Sequence, residues 1–261
     1  MKKLRNLFLA VLGGTLLFAG ATTAQATSST SQVKPTIVLL HGAYADGSSW
    51  SQVISRLQGD GYNVVAPAVP LRGIASDTSY LSGVLAGISG PKVLVGHSYS
   101  GALVSELADT PDVKSLVYVA AFIPEAGETL GALNSQFPGS ELGPDTTYTI
   151  SYPGGVDIAL NPKTAGPVLA ADIPARVGAV AIAAQRPVAA AAFGEPVAKT
   201  APAALPKYAV VPTGDHAIAP AAERFMAKRA GASITEIDGA SHLVLISQPA
   251  AVTKVIERAA R

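Results

Sequence analysis

The chain of 261 residues contains no cysteine. That absence excludes a disulfide framework, a thiol nucleophile and a thiolate metal site. Charge is also scarce, with 14% of residues charged against 49% hydrophobic and a formal net charge of only +1. A near-neutral surface gives no electrostatic basis for binding nucleic acid or an anionic membrane. Aromatics make up 6% of the chain and histidine occurs four times. A histidine base must therefore come from a very short list.

Long apolar runs are missing too, with one exception at the N-terminus. Lys2, Lys3 and Arg5 precede an apolar stretch from Leu7 to about Ala21, followed by the small-residue site Ala24-Gln25-Ala26. That order reads as a secretory signal peptide over residues 1–26, cleaved after Ala26. Gly13-Gly14 interrupts a run already shorter than the roughly 20 residues a spanning helix needs, so a stable membrane anchor is not expected. A lipoprotein anchor would need a cysteine. The expectation is export to the periplasm or the medium, leaving 235 residues with a formal charge of −2.

Beyond a polar linker at residues 27–34, short β-branched runs alternate with helical patterns. "TIVLLHG", "YNVVAP", "KVLVGHS", "LVYVAAF", "KYAVVPTGD" and "SITEIDGAS" read as strands. Helical patterns lie between them, such as the one from Ser48 with Trp50, Val53, Ile54 and Leu57 on its apolar face, and a last one follows in "PAAVTKVIERAA". Continuous apolar strands alternating with helices imply an α/β fold, a mostly parallel sheet covered on both faces, over residues 35–261. The alternation fails at about 124–206, a stretch rich in Pro, Gly and Ala that reads as an inserted lid. Two short helices are expected there: one N-capped by Asp172 with Pro174 in its first turn, the other "PVAAAAFG", ending at Gly194. Its aromatics Phe137, Tyr148, Tyr152 and Phe193 suggest that the lid is packed.

"LVGHSYSGAL", residues 94–103, places Ser98 at the end of a strand and the start of a helix. That is the setting of a G-x-S-x-G nucleophile elbow, whose tight turn demands small residues two before and two after the serine. Gly96 meets the first demand; Ser100 stands where glycine is usual, with Gly101 next. A serine nucleophile needs a base, and on such a sheet the order is serine, acid, histidine, each on a loop at the carboxyl edge. His242, after the final strand, fits order and place. His97 adjoins Ser98, where neighbouring side chains diverge; His41 is suited to holding the loop after the first strand; His216 follows an aspartate. The favoured acid is Asp215, at the end of "KYAVVPTGD", with Asp238 and Glu125 as rivals. The oxyanion requires two backbone N–H groups, and Tyr99 and Ala43 are placed to give them. Gly42 lets that loop approach a substrate, and Tyr44, Tyr99, Phe122 and Phe193 are candidate pocket walls.

Together, "VLLHGAYADGSSWSQVI", "VLVGHSYSGALV", "VKSLVYVAAFIPEAGETL", "QRPVAAAAFGEPV", "ERFMAKRAGA" and "DGASHLVLISQPAAV" resemble the α/β-hydrolase superfamily. The similarity is to its small bacterial esterase-like branch, related to plant methyl-ester esterases and hydroxynitrile lyases. The resemblance covers about residue 35 to the C-terminus. It implies Ser98 as nucleophile, Asp215 and His242 as its relay, a short lid, and neither cofactor nor metal. Ester hydrolysis on this scaffold proceeds through an acyl-enzyme, and the apolar candidate walls and short, charge-poor lid point to a small neutral ester as the substrate partner. Hydroxynitrile-lyase-like cleavage is an alternative, but those lyases carry a threonine where this chain has Gly42 and a lysine where it has Leu243. A non-catalytic ligand receptor on the same fold is a third reading. The departures from the pattern are Ser100 and Tyr44, the latter standing where "HGAW" is common.

Overall fold

The computed structural model describes residues 33–261; the expected signal peptide and most of the linker lie outside them. The first strand, β1 (Thr36–Leu40), is buried along its whole length, as its unbroken apolar run requires. It is followed by α1 (Ser51–Gly59), β2 (Val64–Val65), α2 (Ile74–Ala86), β3 (Lys92–His97), α3 (Ser100–Glu106) and β4 (Val113–Val119). After the insertion come β8 (Lys207–Pro212), α7 (Pro220–Arg229), β9 (Ser233–Ile237), α8 (Val244–Ser247) and α9 (Pro249–Ala259). The six strands form one sheet in the order β2-β1-β3-β4-β8-β9, every pair parallel.

Right-handed crossovers place α1 on one face and α2, α3 and α7 on the other. α9 returns to the α1 face and packs against it, burying Val252, Val255 and Ile256. The register decides where the chemistry sits. Leu40 lies opposite Gly96, His97 opposite Val119, Val119 opposite Val210, and Pro212 opposite Ile237. The strands thus end level with one another, and the loops carrying Gly42, Ser98, Asp215 and His242 leave from the same edge.

The insertion is more ordered than its composition suggests. It contains α4 (Leu130–Gln136), the antiparallel hairpin β5 (Thr147–Tyr152) and β6 (Gly155–Leu160), α5 (Gly166–Leu169), α6 (Ala175–Ala183) and β7 (Val188–Ala189). The "PVAAAAFG" helix is not formed: Val188 and Ala189 pair with Ile158 and Asp157 of β6, and only a 3-10 turn over Ala190–Phe193 follows. Asp172 is not an N-cap either. α6 starts from Pro174, and Asp172 instead accepts a hydrogen bond from Ser241. Of the four lid aromatics, Phe137 packs on Phe225 and Phe193 on Tyr99, whereas Tyr148 and Tyr152 are exposed.

Carboxylates fasten this lid to the sheet domain. Asp157 accepts from Arg72 at 2.8 Å, and the same guanidinium donates to the Pro187 carbonyl at 3.0 Å. Glu195 accepts the Ile74 and Ala75 amides at 2.7 and 3.0 Å, capping α2, whose own N-cap Gly73 has no side chain to offer. Among the described residues, no helix is long and apolar enough to cross a membrane.

Candidate active site

β3 runs into α3 through a turn in which Ser98 takes φ +54°, a left-handed conformation that costs a non-glycine residue about 1–3 kcal/mol. The turn is held from three sides. The Ser98 amide donates to Val119 at 3.2 Å, and its carbonyl accepts from Phe122 and from Gly101. A side chain at Gly96 would put its Cβ 2.4 Å from the Ser100 carbonyl oxygen. At Gly101 it would lie 2.0 Å from the Phe122 oxygen. Both positions therefore admit only glycine. Ser100 is fully buried, and its Oγ donates to the His41 carbonyl at 2.5 Å.

Three buried residues from separate loops meet at this turn. Ser98 Oγ lies 2.9 Å from His242 Nε2, and His242 Nδ1 lies 2.6 Å from Asp215 Oδ2. With Nδ1 donating to the carboxylate, Nε2 is the bare nitrogen that accepts from the serine. Asp215 Oδ1 accepts the Ala217 and Ile218 amides at 2.7 and 2.9 Å, which fixes its plane. The histidine loop is braced by the lid, since the Leu243 amide donates to Leu169 in α5 at 2.9 Å. His97 Nε2 donates to the His242 carbonyl at 3.1 Å, and burial holds the His97 ring neutral, well below the ordinary histidine range.

The rivals lie elsewhere. Asp238 is exposed and accepts from Thr213 at 3.0 Å, Glu125 pairs with Arg229, and His216 pairs with Glu141 at 2.8 Å on the surface. His41 pins the loop after β1: its Nδ1 donates to the Gly42 carbonyl at 3.0 Å and its Nε2 accepts the Val69 amide at 2.9 Å. Burial lowers its pKa, in keeping with the neutral ring these bonds need. The Ala43 and Tyr99 amides, expected as oxyanion donors, have no main-chain acceptor among the described residues.

A cavity of about 290 Å³ opens over Ser98 and His242, walled by Tyr44, Phe122, Leu142, Ile158, Phe193 and Ile218. Asn134, Ser135 and Thr147 supply its polar surface, and no Asp, Glu, Lys or Arg among the described residues lines it. Tyr99, expected as a wall, and Gly42, expected on the substrate side of its loop, do not line this cavity. Tyr99 is fully buried and turns away from the cavity to donate to Asp77 at 2.9 Å. Gly42 faces the elbow, where an added Cβ would fall 2.8 Å from both His97 Nδ1 and Ser98 Cβ. Its smallness is required by the packing of the two loops.

One residue of the site escaped the sequence reading. Glu223, in the first turn of α7, is buried beside Asp215. It was visible only as an acid inside the buried stripe Ala219, Ala222, Glu223, Met226, whose i, i+3, i+4, i+7 spacing marks a core face. Asp215, Glu223 and His242 present ligand atoms within 4.8 Å of one another, enough to surround a cation. Asp215 and His242 are already committed to each other, to two amides and to Ser98, so their lone pairs have other work.

Residues 37–255 match the profile of a family described as the alpha/beta hydrolase family. A carbendazim hydrolyzing esterase from Nocardioides sp. is 34% identical over 110 residues, 37% of this chain and 46% of that protein. A pyrethroid hydrolase from Sphingobium wenxiniae is 34% identical over 107 residues, 36% of this chain and 38% of that protein. The chain thus spans less than half the length of these curated relatives. Among solved structures, polyneuridine aldehyde esterase superposes with a TM-score of 0.73 at 20% identity, covering 86% of this chain and 98% of that one. A pyrethroid hydrolase from Sphingobium faniae gives 0.71 at 22%, covering 87% and 97%. At such identities the likeness is one of fold.

Proposed function

The chain belongs to the alpha/beta hydrolase family, and from that premise we propose that it hydrolyses small neutral carboxylic esters through a Ser98–His242–Asp215 relay. The observation that carries this is the unbroken chain of contacts at 2.9 and 2.6 Å, seated at the floor of an uncharged cavity. His242 takes the Ser98 proton as the hydroxyl attacks the ester carbonyl, and the Ala43 and Tyr99 amides receive the oxyanion. Asp215 stabilises the imidazolium without taking its proton. His242 then protonates the departing alcohol, and a water activated by the same imidazole releases the acid from the acyl-enzyme. The names of the two curated relatives, an esterase and a hydrolase, support the reaction class.

The walls support the substrate class. A pocket without charge binds by burying uncharged surface, and about 290 Å³ is at the small end of ligand cavities. Hydrolysis of p-nitrophenyl esters is expected from acetyl to hexanoyl, falling away at palmitoyl length, with no loss to chelators. A rate that rises toward palmitoyl would overturn the size argument. Cyanohydrin cleavage is not expected: the threonine those lyases carry would force its Cβ into His97 and Ser98 at position 42, and Leu243 stands in place of their lysine.

Export with cleavage after Ala26 is proposed as well, on the charged, apolar and small-residue order of residues 1–26. Mass spectrometry of the extracytoplasmic protein should then find Thr27 as its N-terminus, and full-length cytosolic material would contradict it.

A further inference from the structure

Glu223 has no part in the relay described above, yet it is enclosed with it. Both of its carboxyl oxygens are fully buried without a hydrogen-bond partner. A buried carboxylate left ionised without a partner is costly, whereas a protonated one needs only a single acceptor. The charges on the surrounding elements do not compensate it. Arg224, its neighbour on α7, is turned outward onto Glu236 of β9 at 2.8 Å. Lys207 of β8 is spent on the carbonyls of Pro202 and Leu205, and α4, packed on α7, carries no ionisable residue. The groups that do face Glu223 are Asp215 and His242.

The acceptor is at hand. A carboxylate has about four lone-pair sites, and Asp215 has filled three, with the Ala217 amide, the Ile218 amide and His242. Two carboxyls this close in a buried site hold one negative charge between them, and the partner with three N–H donors keeps it.

Resting on the relay reading of Asp215, we propose that Glu223 is a protonated positioning residue whose O–H donates to the remaining lone pair of Asp215, forming an acid pair behind His242. The consequence is electrostatic. A donor on Asp215 spreads its charge and restrains its attraction for the imidazolium formed during turnover. Burial, with the Asp215 charge second, also raises the Glu223 carboxyl well above its ordinary range.

The proton itself can be read without turnover. In infrared difference spectra between wild type and Glu223→Gln at about pH 8, where ordinary carboxyls are ionised, wild type should show a protonated C=O stretch that the variant lacks. Loss of carboxylate bands alone would overturn the proposal, whether or not the protein cleaves esters. With p-nitrophenyl acetate, Glu223→Leu should move the acid limb of kcat/KM upward by about half a pH unit or more. Glu223→Gln, which keeps an N–H donor, should restore the wild-type limb. An unmoved limb in the leucine variant, or a glutamine variant that behaves like it, would contradict the coupling. Absence of ester turnover in wild type would instead count against the relay reading and leave the infrared result standing.

Discussion

Ser100 Oγ donates to the carbonyl of His41 at 2.5 Å, joining the first turn of α3 to the end of β1. The serine that departs from the elbow pattern thus satisfies a buried backbone acceptor that glycine would leave bare. Ser100→Gly should lower stability by about 1–3 kcal/mol in urea melts and leave ester turnover within a few fold. Ser100→Val, which must place two methyls in a fully buried site, should damage both. The strict glycine is the next residue: Gly101→Ala should cost more than Ser100→Gly, because its Cβ meets the Phe122 carbonyl oxygen at 2.0 Å. Equal tolerance of all three changes would mean that the turn is not tight.

The lid offers a second test. Arg72 grips Asp157 and the Pro187 carbonyl, but the pair is half-exposed and worth under about 1 kcal/mol to global stability. Its effect should be local, since β6 carries Ile158 into the cavity wall. Arg72→Ala should raise KM with little change in kcat, and speed proteolytic nicking within residues 138–165. Unchanged KM and nicking would show that the hairpin holds without the clamp.

The parallel sheet and its carboxyl edge were legible because the central strands β1, β3, β4 and β8 carry apolar runs that end in polar loops. Ser98 and Asp215 each follow such a run, whereas His242 follows the mixed edge strand β9 and was placed by its order in the chain. The lid was not legible in this way. β5 is exposed over most of its length, so it has no buried face to impose alternation, and β7 exists only because two residues find β6. Tyr99 shows the other limit. Its proximity to Ser98 suggested a pocket wall, but the acceptor that turns its side chain away is Asp77, 22 residues earlier. Glu223 was missed, because its one signal was an acid on an apolar stripe, and only the folded chain brings it against Asp215.

Glu223 also has a stability signature. With its carboxyl raised above the ordinary 4.5 by burial, the folded state holds a proton that the unfolded chain releases above that pH. Stability therefore falls as pH rises from the unfolded pKa toward the folded one, by about 1.4 kcal/mol per unit. Glutamine carries no such proton. In urea melts, Glu223→Gln should gain on wild type as pH rises from about 4 to about 7; a constant difference across that window would contradict the shift.

The nucleophile is tested most directly by trapping it. Wild type treated with a fluorophosphonate, then digested and mapped by mass spectrometry, should carry one adduct, on Ser98, with ester turnover lost in proportion to labelling. His242→Ala should label far more slowly, since the hydroxyl has lost its base, and Ser98→Ala should neither label nor turn over. Ester hydrolysis that survives in Ser98→Ala, or an adduct that forms on another residue while activity is lost, would contradict Ser98 as the nucleophile.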